Sequence, residues 1–468
     1  MTEITALDYA KATLARTSLD QCLKCTICET QCPVLRVTPK FSGPKFVGPQ
    51  AERFRKGQSV DRSLDYCSGC SICTTVCPQG VKIAELNAQA RAVMKADNMP
   101  LRDRLITQTE LEGKLLTPLA PIANTALKNR PIRKLVQAII GVHADAPTPV
   151  AQSTSFLTWW KRHEKEVYGG SYAPRRPQST MYLPSEMKWH RGPIVFFHGC
   201  AGAYFEVSTS IATVEVLEHL GYRVIVPKQG CCGLASQSNG LFNDASRHVL
   251  QLASQLQRAG KNLTIVSSSG SCAGMLRHEA HEIMGLEDAT LRDVGARLFE
   301  TSEFIAHLMD EGEFPQSDLR PLDLTLTYHQ PCQVKSQGIG EPAIRMLEAI
   351  PGVHVVESGQ PCCGIAGTYG LKKEKFAVAQ AVGKPLFAKI KAVNPRLAAC
   401  DTETCRWQIR KGTGAEVVHP IEILARALGL AGQGLAPPEK PPHLAQFDAK
   451  TLYERTDNDV SEKICDGN

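Results

Sequence analysis

Eight cysteines near the N-terminus stand at spacings that build iron–sulfur clusters. Residues 22–33 read CLKCTICETQCP and residues 67–78 read CSGCSICTTVCP, so C-x2-C-x2-C-x3-C-P occurs twice. Three cysteines at i, i+3 and i+6 wrap a tight loop around one face of a cubane, and the fourth, followed by proline, is carried to the neighbouring cluster. The spacing therefore predicts two [4Fe-4S] clusters with crossed ligation. Cys22, Cys25, Cys28 and Cys77 are assigned to cluster 1, and Cys67, Cys70, Cys73 and Cys32 to cluster 2. Zinc knuckles also use four cysteines, but they pair C-x2-C elements and lack this four-cysteine run with its proline.

A second set of cysteines recurs further along. FFHGC at 196–200 is followed by GCCG at 230–233 and SSSGSC at 267–272; YHQPC at 328–332 is followed by PCCG at 361–364 and CDTETC at 400–405. The first cysteines of the two copies are 132 residues apart, and an internal duplication accounts for the match. The candidate ligands are Cys200, Cys231, Cys232 and Cys272 in the first copy, and Cys332, Cys362, Cys363 and Cys405, with Cys400, in the second. A buried Cys-Cys pair can be plain core. That reading leaves unexplained why the pair, its glycine and the further cysteines recur together.

The elements that must position these residues are legible as alternating strands and helices. In the first copy PIVFF, RVIVP and LTIVSSS read as strands, with SIATVEVLEHL and ASRHVLQLASQLQRA as helices between them. The second copy repeats the order with LTLTY, EPAIRMLEAI, VHVVES, KKEKFAVAQAVGKPLFAKIKA and RLAAC. Every cysteine falls at or just beyond the C-terminal end of a predicted strand, where open α/β sheets place their binding crevices. Between the N-terminal motifs, residues 33–66 hold a Pro/Gly-rich loop and then a predicted helix.

The chain is 468 residues long, 43% hydrophobic and 21% charged, as expected for a multidomain globular protein. Its start lacks the apolar core of a secretory signal, and no run of about 18 apolar residues occurs, which points to the cytoplasm. Eighteen cysteines in such a chain read as metal or redox ligands rather than disulfides. A net charge of +6 over this length, with 6% aromatics, does not suggest nucleic-acid binding. GIGEPA at 338–343 matches G-x-G-x-x-A but follows CQVKSQ, which is not a strand, so it is not taken as a nucleotide loop. Residues 101–190 carry 13 Lys plus Arg against 7 Asp plus Glu. Within them IRKLVQAIIGVH and FLTWWKRH have the composition of helices lying at a lipid interface.

The duplicated cysteine modules resemble those of the heterodisulfide reductase B-subunit family. Two ferredoxin motifs followed by two such modules resemble the iron–sulfur C subunits of anaerobic glycerol-3-phosphate dehydrogenases, across roughly residues 20–430. SGPKFVGPQAERFR, TPLAPIANTALKNRPIRKL, CCGIAGTYGLKKEKF and TETCRWQI carry the likeness. The resemblance implies an α+β multidomain fold. A helical dicluster ferredoxin domain (1–100) would be followed by a basic, partly amphipathic connecting segment (101–190), a duplicated α/β CCG domain (191–315 and 316–430) and a flexible tail (431–468). It also implies a non-catalytic subunit in anaerobic glycerol metabolism, with further iron–sulfur clusters in the CCG modules. Its partners would be flavoprotein dehydrogenase subunits and membrane menaquinone, contacted peripherally from the cytoplasmic face of the inner membrane. The alternatives are the iron–sulfur subunit of a glycolate or lactate oxidase, and a heterodisulfide-reductase-like thiol-disulfide reductase.

The chain departs from the heterodisulfide reductase pattern, whose modules end in C-x-x-C and use five cysteines for a noncubane cluster. Ser269 and Thr402 occupy the earlier cysteine positions, and Cys400 is the candidate substitute in the second module. Electron relay is favoured over disulfide cleavage on that ground. His198 and His329, just before the first cysteine of each module, are candidates to hydrogen-bond a cluster or move protons for a quinone. Cys465, alone in the tail, is given no ligand role.

Overall fold

The computed structural model describes residues 18–50, 61–96, 99–170 and 189–430, all within one compact unit. The expected flexible tail with Cys465 lies outside the described residues, as do residues 51–60 of the insert in which a helix is expected after the loop. On either side of that gap are a π turn at Phe46–Gln50 and a 3-10 turn at Arg62–Tyr66. The fold is α+β: a helical N-terminal region precedes two small parallel sheets flanked by helices.

The first sheet contains β1 (Pro193–Phe197), β2 (Arg223–Ile225), β3 (Ile265–Ser267) and β4 (Leu298–Glu300) in the order β2-β1-β3-β4. The second contains β5 (Leu324–Tyr328), β6 (Val353–Glu357), β7 (Leu397–Ala399) and β8 (Glu416–Val418) in the order β6-β5-β7-β8. Every pairing is parallel, with Val195 beside Ile265 in one sheet and Tyr328 beside Ala399 in the other. Strands covered by helices on both faces read as continuous apolar runs, as PIVFF does. The covering helices are amphipathic: Phe242–Ala259 buries Ala245, Val249, Leu252, Ala253 and Leu256, one stripe of a 3.6-residue period. In each sheet the chain leaves the first strand to one side and returns on the other. The resulting switch point opens a crevice at the strands' C-terminal ends.

Those ends face each other across the two modules. Thr209 Oγ1 donates to Glu422 at 2.8 Å, and Ser302 Oγ donates to Asp401 at 3.0 Å. Glu206 accepts from Arg406 at 3.1 Å, Arg410 at 2.7 Å and the Trp407 indole at 2.6 Å. The helix Ile83–Lys95 joins the N-terminal region to both modules. Its Ala92 belongs to the first module's core and its Ala90 packs with Tyr369, Val378 and Ala379 of the second. Arg91 donates to the carbonyls of Cys67 and Ser238, tying a cluster loop to the first module.

A buried ion network fixes the connecting segment. The Asp103 carboxylate pairs with Lys372 at 2.7 Å and Lys95 at 3.0 Å, while Lys95 and Lys375 also hold Asp65. Burial pushes the Asp103 carboxyl upward, but the Lys372 and Lys95 ammonium groups outweigh it and hold the carboxyl well below its ordinary value. A carboxylate held low stabilises the fold above its unfolded pKa and loses that contribution as pH falls. Asp103→Asn is expected to cost about 2 kcal/mol at neutral pH, and the deficit should shrink toward pH ~2, measured as shifts in the urea midpoint.

The connecting segment corrects one of the two lipid-interface expectations. In the helix Phe156–Tyr168, Phe156, Trp159 and Trp160 are buried, and Phe156 packs edge-on against Phe196 of β1. FLTWWKRH is thus an internal brace whose aromatic stripe the first module covers. The helix Arg130–Ile139 behaves differently. It starts at Asn129, whose side chain accepts from the Ile132 N–H, and it buries no residue. With Leu111, Leu115, Leu119 and Ile122 it leaves Ile132, Leu135 and Ile139 exposed in one stretch of chain.

Candidate metal centres

The two ferredoxin-type loops have the same backbone. Lys24 and Thr26 in the first, and Gly69 and Ser71 in the second, all take positive φ, at 59°, 68°, 69° and 60°. Left-handed backbone costs a non-glycine residue roughly 1–2 kcal/mol, so its recurrence at matched positions marks an imposed geometry. It coils each loop around a point, after which the short helices Ile27–Thr30 and Ile72–Thr75 carry Cys28 and Cys73 inward. The fourth cysteines cross over: Cys28 neighbours Cys77 and Cys22, whereas Cys32 neighbours Cys67 and lies close to Cys70 and Cys73. Cys25 is exposed.

In the duplicated modules Cys200 and Cys332 follow β1 and β5, the Cys-Cys pairs follow β2 and β6, and Cys272 and Cys405 sit on helices that follow β3 and β7. The glycine after each pair is required by its surroundings. Gly233 and Gly364 have φ of 84° and 90°. A Cβ at Gly233 would lie 2.7 Å from the Ala245 carbonyl oxygen, and one at Gly364 would collide with that of Ala379. This turn also aims the glycine N–H at the first sulfur of the pair, 3.3 Å from Cys231 Sγ and from Cys362 Sγ respectively. The second sulfurs converge on the helix cysteines, at 3.1 Å between Cys232 and Cys272 and 3.0 Å between Cys363 and Cys405. No disulfide joins any of the described cysteines.

The two crevices merge into one cavity of about 180 Å³ lined by all eight of these module cysteines and by Cys70. The hydroxyl residues at the missing-cysteine positions bridge it. Ser269 Oγ donates to Glu403 of the second module at 3.2 Å, and Ser271 Oγ donates to Thr402 at 3.4 Å. Cys400 is fully buried beside Cys405, its thiol directed to the Thr402 carbonyl at 3.9 Å.

The histidines part company. His198 Nδ1 donates to the Gly199 carbonyl at 2.6 Å, and its ring packs on Phe156 and Phe196. His329 Nδ1 meets Ser358 Oγ at 3.0 Å, and a ring nitrogen of His329 lies within 4.8 Å of both Cys363 Sγ and Cys405 Sγ. Burial lowers both imidazoles to about 4, so both are neutral. Three residues escaped the sequence reading. Glu110, from the connecting segment, accepts from the Cys231 N–H at 3.2 Å; His248 hydrogen-bonds the Cys231 thiol; Glu403 reaches across the cavity. Nothing in the sequence ties Glu110 to a cysteine 121 residues away, whereas Glu403 stands inside CDTETC and was open to notice.

The donor chemistry fits iron–sulfur clusters. Burial pushes the thiols of Cys28 and Cys32 up to about 11 and those of Cys70 and Cys73 higher. In the modules, hydrogen bonds from Cys200 and Cys332 hold Cys231 and Cys362 low at the cost of raising their own values. So many packed sulfurs become thiolates together only around cationic metal, which deprotonates a coordinating thiol outright. The amides aimed at Cys231 and Cys362 are the kind of contact that sets a cluster's potential.

Comparison with known proteins agrees. Residues 18–81 match the family described as 4Fe-4S dicluster domain, and residues 194–277 and 326–410 each match the cysteine-rich domain family. The chain is 34% identical to the C subunit of the anaerobic glycerol-3-phosphate dehydrogenase of Escherichia coli, covering 88% of this chain and 99% of that protein. It is 26% identical to the D subunit of the dihydromethanophenazine:CoB–CoM heterodisulfide reductase of Methanosarcina barkeri, over 56% of this chain and 66% of the relative. Lactate utilization protein A of Geobacillus kaustophilus is 29% identical over 38% of this chain and 74% of its own length. The protein therefore carries iron–sulfur clusters in its dicluster and cysteine-rich domains.

Proposed function

Since the chain belongs to the family of anaerobic glycerol-3-phosphate dehydrogenase C subunits, we propose that it relays electrons from a flavoprotein partner that oxidises glycerol 3-phosphate to membrane menaquinone. The observation that carries this reading is the shared cavity, where Cys70 of a ferredoxin-type loop meets the cysteines of both modules. Cys70 lies close to Cys362 and Cys332, so the second ferredoxin-type site adjoins the second module. Electrons would enter near exposed Cys25, pass through the second ferredoxin-type site and the second module, and leave from the first. There Cys231 borders a separate cleft with Glu110, Lys114 and His248. The ligands are the eight ferredoxin-type cysteines in their crossed pairing, with the module cysteines completing the array.

Among the described residues no helix is long and apolar enough to cross a membrane. The exposed stretch around Leu135 and Ile139 suits peripheral contact instead, its apolar residues entering the interface while Arg and Lys face the headgroups. Hydroxyls in place of the fifth cysteines, both hydrogen-bonded across the cavity, speak against disulfide cleavage.

The flavin partner would do the hydride chemistry, so the isolated chain should not reduce a dye with glycerol 3-phosphate. Adding the flavoprotein and menaquinone-containing vesicles should produce menaquinol. Dye reduction by the chain alone would overturn the relay reading, and transfer from a lactate-oxidising flavoprotein but not from the glycerol-3-phosphate enzyme would move the chain to the other branch.

A further inference from the structure

The two modules are built alike, yet the histidine that follows the first strand of each is used differently. The Nε2 of His198, like that of His329, has no hydrogen-bond partner, but among the described residues only His329 groups with cysteine sulfurs at ligand distance. The His198 Nδ1–H donates to the Gly199 carbonyl, and the ring meets Phe156 and Phe196 edge-on. His329 is fully buried, and its Nδ1 contacts Ser358 Oγ, a group that both accepts and donates. With Nδ1–H donating to that hydroxyl, Nε2 keeps a free lone pair, and Nε2 has no hydrogen-bond partner. A buried polar atom without a partner is uncommon and calls for an explanation. Here an explanation stands beside it: a ring nitrogen of His329 and the sulfurs of Cys363 and Cys405 lie mutually within 4.8 Å, close enough to share a metal site.

We infer that His329 Nε2 is a protein ligand of the iron–sulfur centre in the second module, making it a mixed imidazole–thiolate site while the first module stays all-thiolate. The inference rests on the reading that the modules hold clusters of the relay. A neutral imidazole in place of a thiolate leaves the site less negative, and histidine ligation raises the potential of iron–sulfur centres. The second module would then hold electrons more readily than an all-cysteine copy of itself.

The test uses the full chain, purified anaerobically from cells fed [15N]histidine and examined by pulsed EPR in whichever oxidation state is paramagnetic. The expected result is a histidine nitrogen coupling that changes with the isotope, persists in His198→Gln and disappears in His329→Gln. His329→Cys should retain the iron but lose the nitrogen coupling and titrate at a lower potential. Iron in clear excess of about eight atoms per chain without any histidine coupling would overturn this assignment and leave the relay reading standing. Iron of about eight would instead overturn the presence of module clusters, and the ligand assignment with it.

Discussion

Serine at both Cys232 and Cys363 is expected to remove the iron held in the duplicated modules while leaving about eight atoms per chain in the two ferredoxin-type clusters. Both cysteines are the second member of their pair, both are almost fully buried, and each sulfur touches the helix cysteine of its own module. A hydroxyl is nearly the same size, so packing around Val249 and Leu386 should survive. It is a harder and far less acidic donor than a thiolate, and iron–sulfur clusters select soft sulfur ligands. Iron and inorganic sulfide analysis should therefore fall together with loss of a distinct EPR signal, and electron flow to menaquinone should stop even though the partner-facing clusters still reduce. An iron content unchanged from that of the unsubstituted chain would place the clusters away from these cysteines.

Glu206→Ala should be the most damaging single change outside the cysteines, at about 4 kcal/mol. Its carboxylate, itself buried, is the counter-charge for Arg406, which is 1% exposed. Alanine would remove that guanidinium's carboxylate partner, leaving its bonds to the Cys400 and Asp401 carbonyls and to Thr209 Oγ1, and would orphan the Trp407 indole N–H. Breaking a buried pair on one side is costlier than never having built it. Burial raises the Glu206 carboxyl, but the Arg406 and Arg410 charges outweigh it and hold the group below its ordinary value. Its contribution is thus present above the unfolded carboxylate pKa and lost as pH falls, so variant and parent should converge in acid. Glu206→Gln should fall between them, since it can still accept from Trp407. Denaturation midpoints measured across pH check all three.

The sequence made the cysteine architecture legible because cluster ligation is written locally: three ligands of each cubane fall within seven residues, and the turn after each Cys-Cys pair announces itself with glycine. Strands such as PIVFF were equally plain from their continuous apolar runs, and helices such as Phe242–Ala259 from their periodicity. The edge strands β4 and β8 were missed: each sets only two apolar residues beside a glutamate, whereas the equally short β2 lies within the longer run RVIVP. What brings distant pieces together was not legible at all. FLTWWKRH has one composition whether its aromatic stripe meets lipid or β1, and only the docked module decides. His198 meets Phe156 and Phe196 while His329 sits beside Cys363 and Cys405, a difference of tertiary surroundings that the pattern of residues before a cysteine does not encode.

The cavity between the modules also bears on how the protein is made. Cys232, Cys363 and Cys405 are sealed between the modules, and the helix Ile83–Lys95 packs into the cores of both. Buried sulfurs are poorly placed to receive a preformed cluster from a scaffold protein once the halves have docked. Loading before docking is the expected order, with the clusters helping to bring the halves together, much as zinc does for small metal-dependent domains. Iron starvation would then leave chains halted with the interface of Glu206 and Arg406 unmade, an open form exposed to proteolysis, and the supply of iron would set the amount of finished protein.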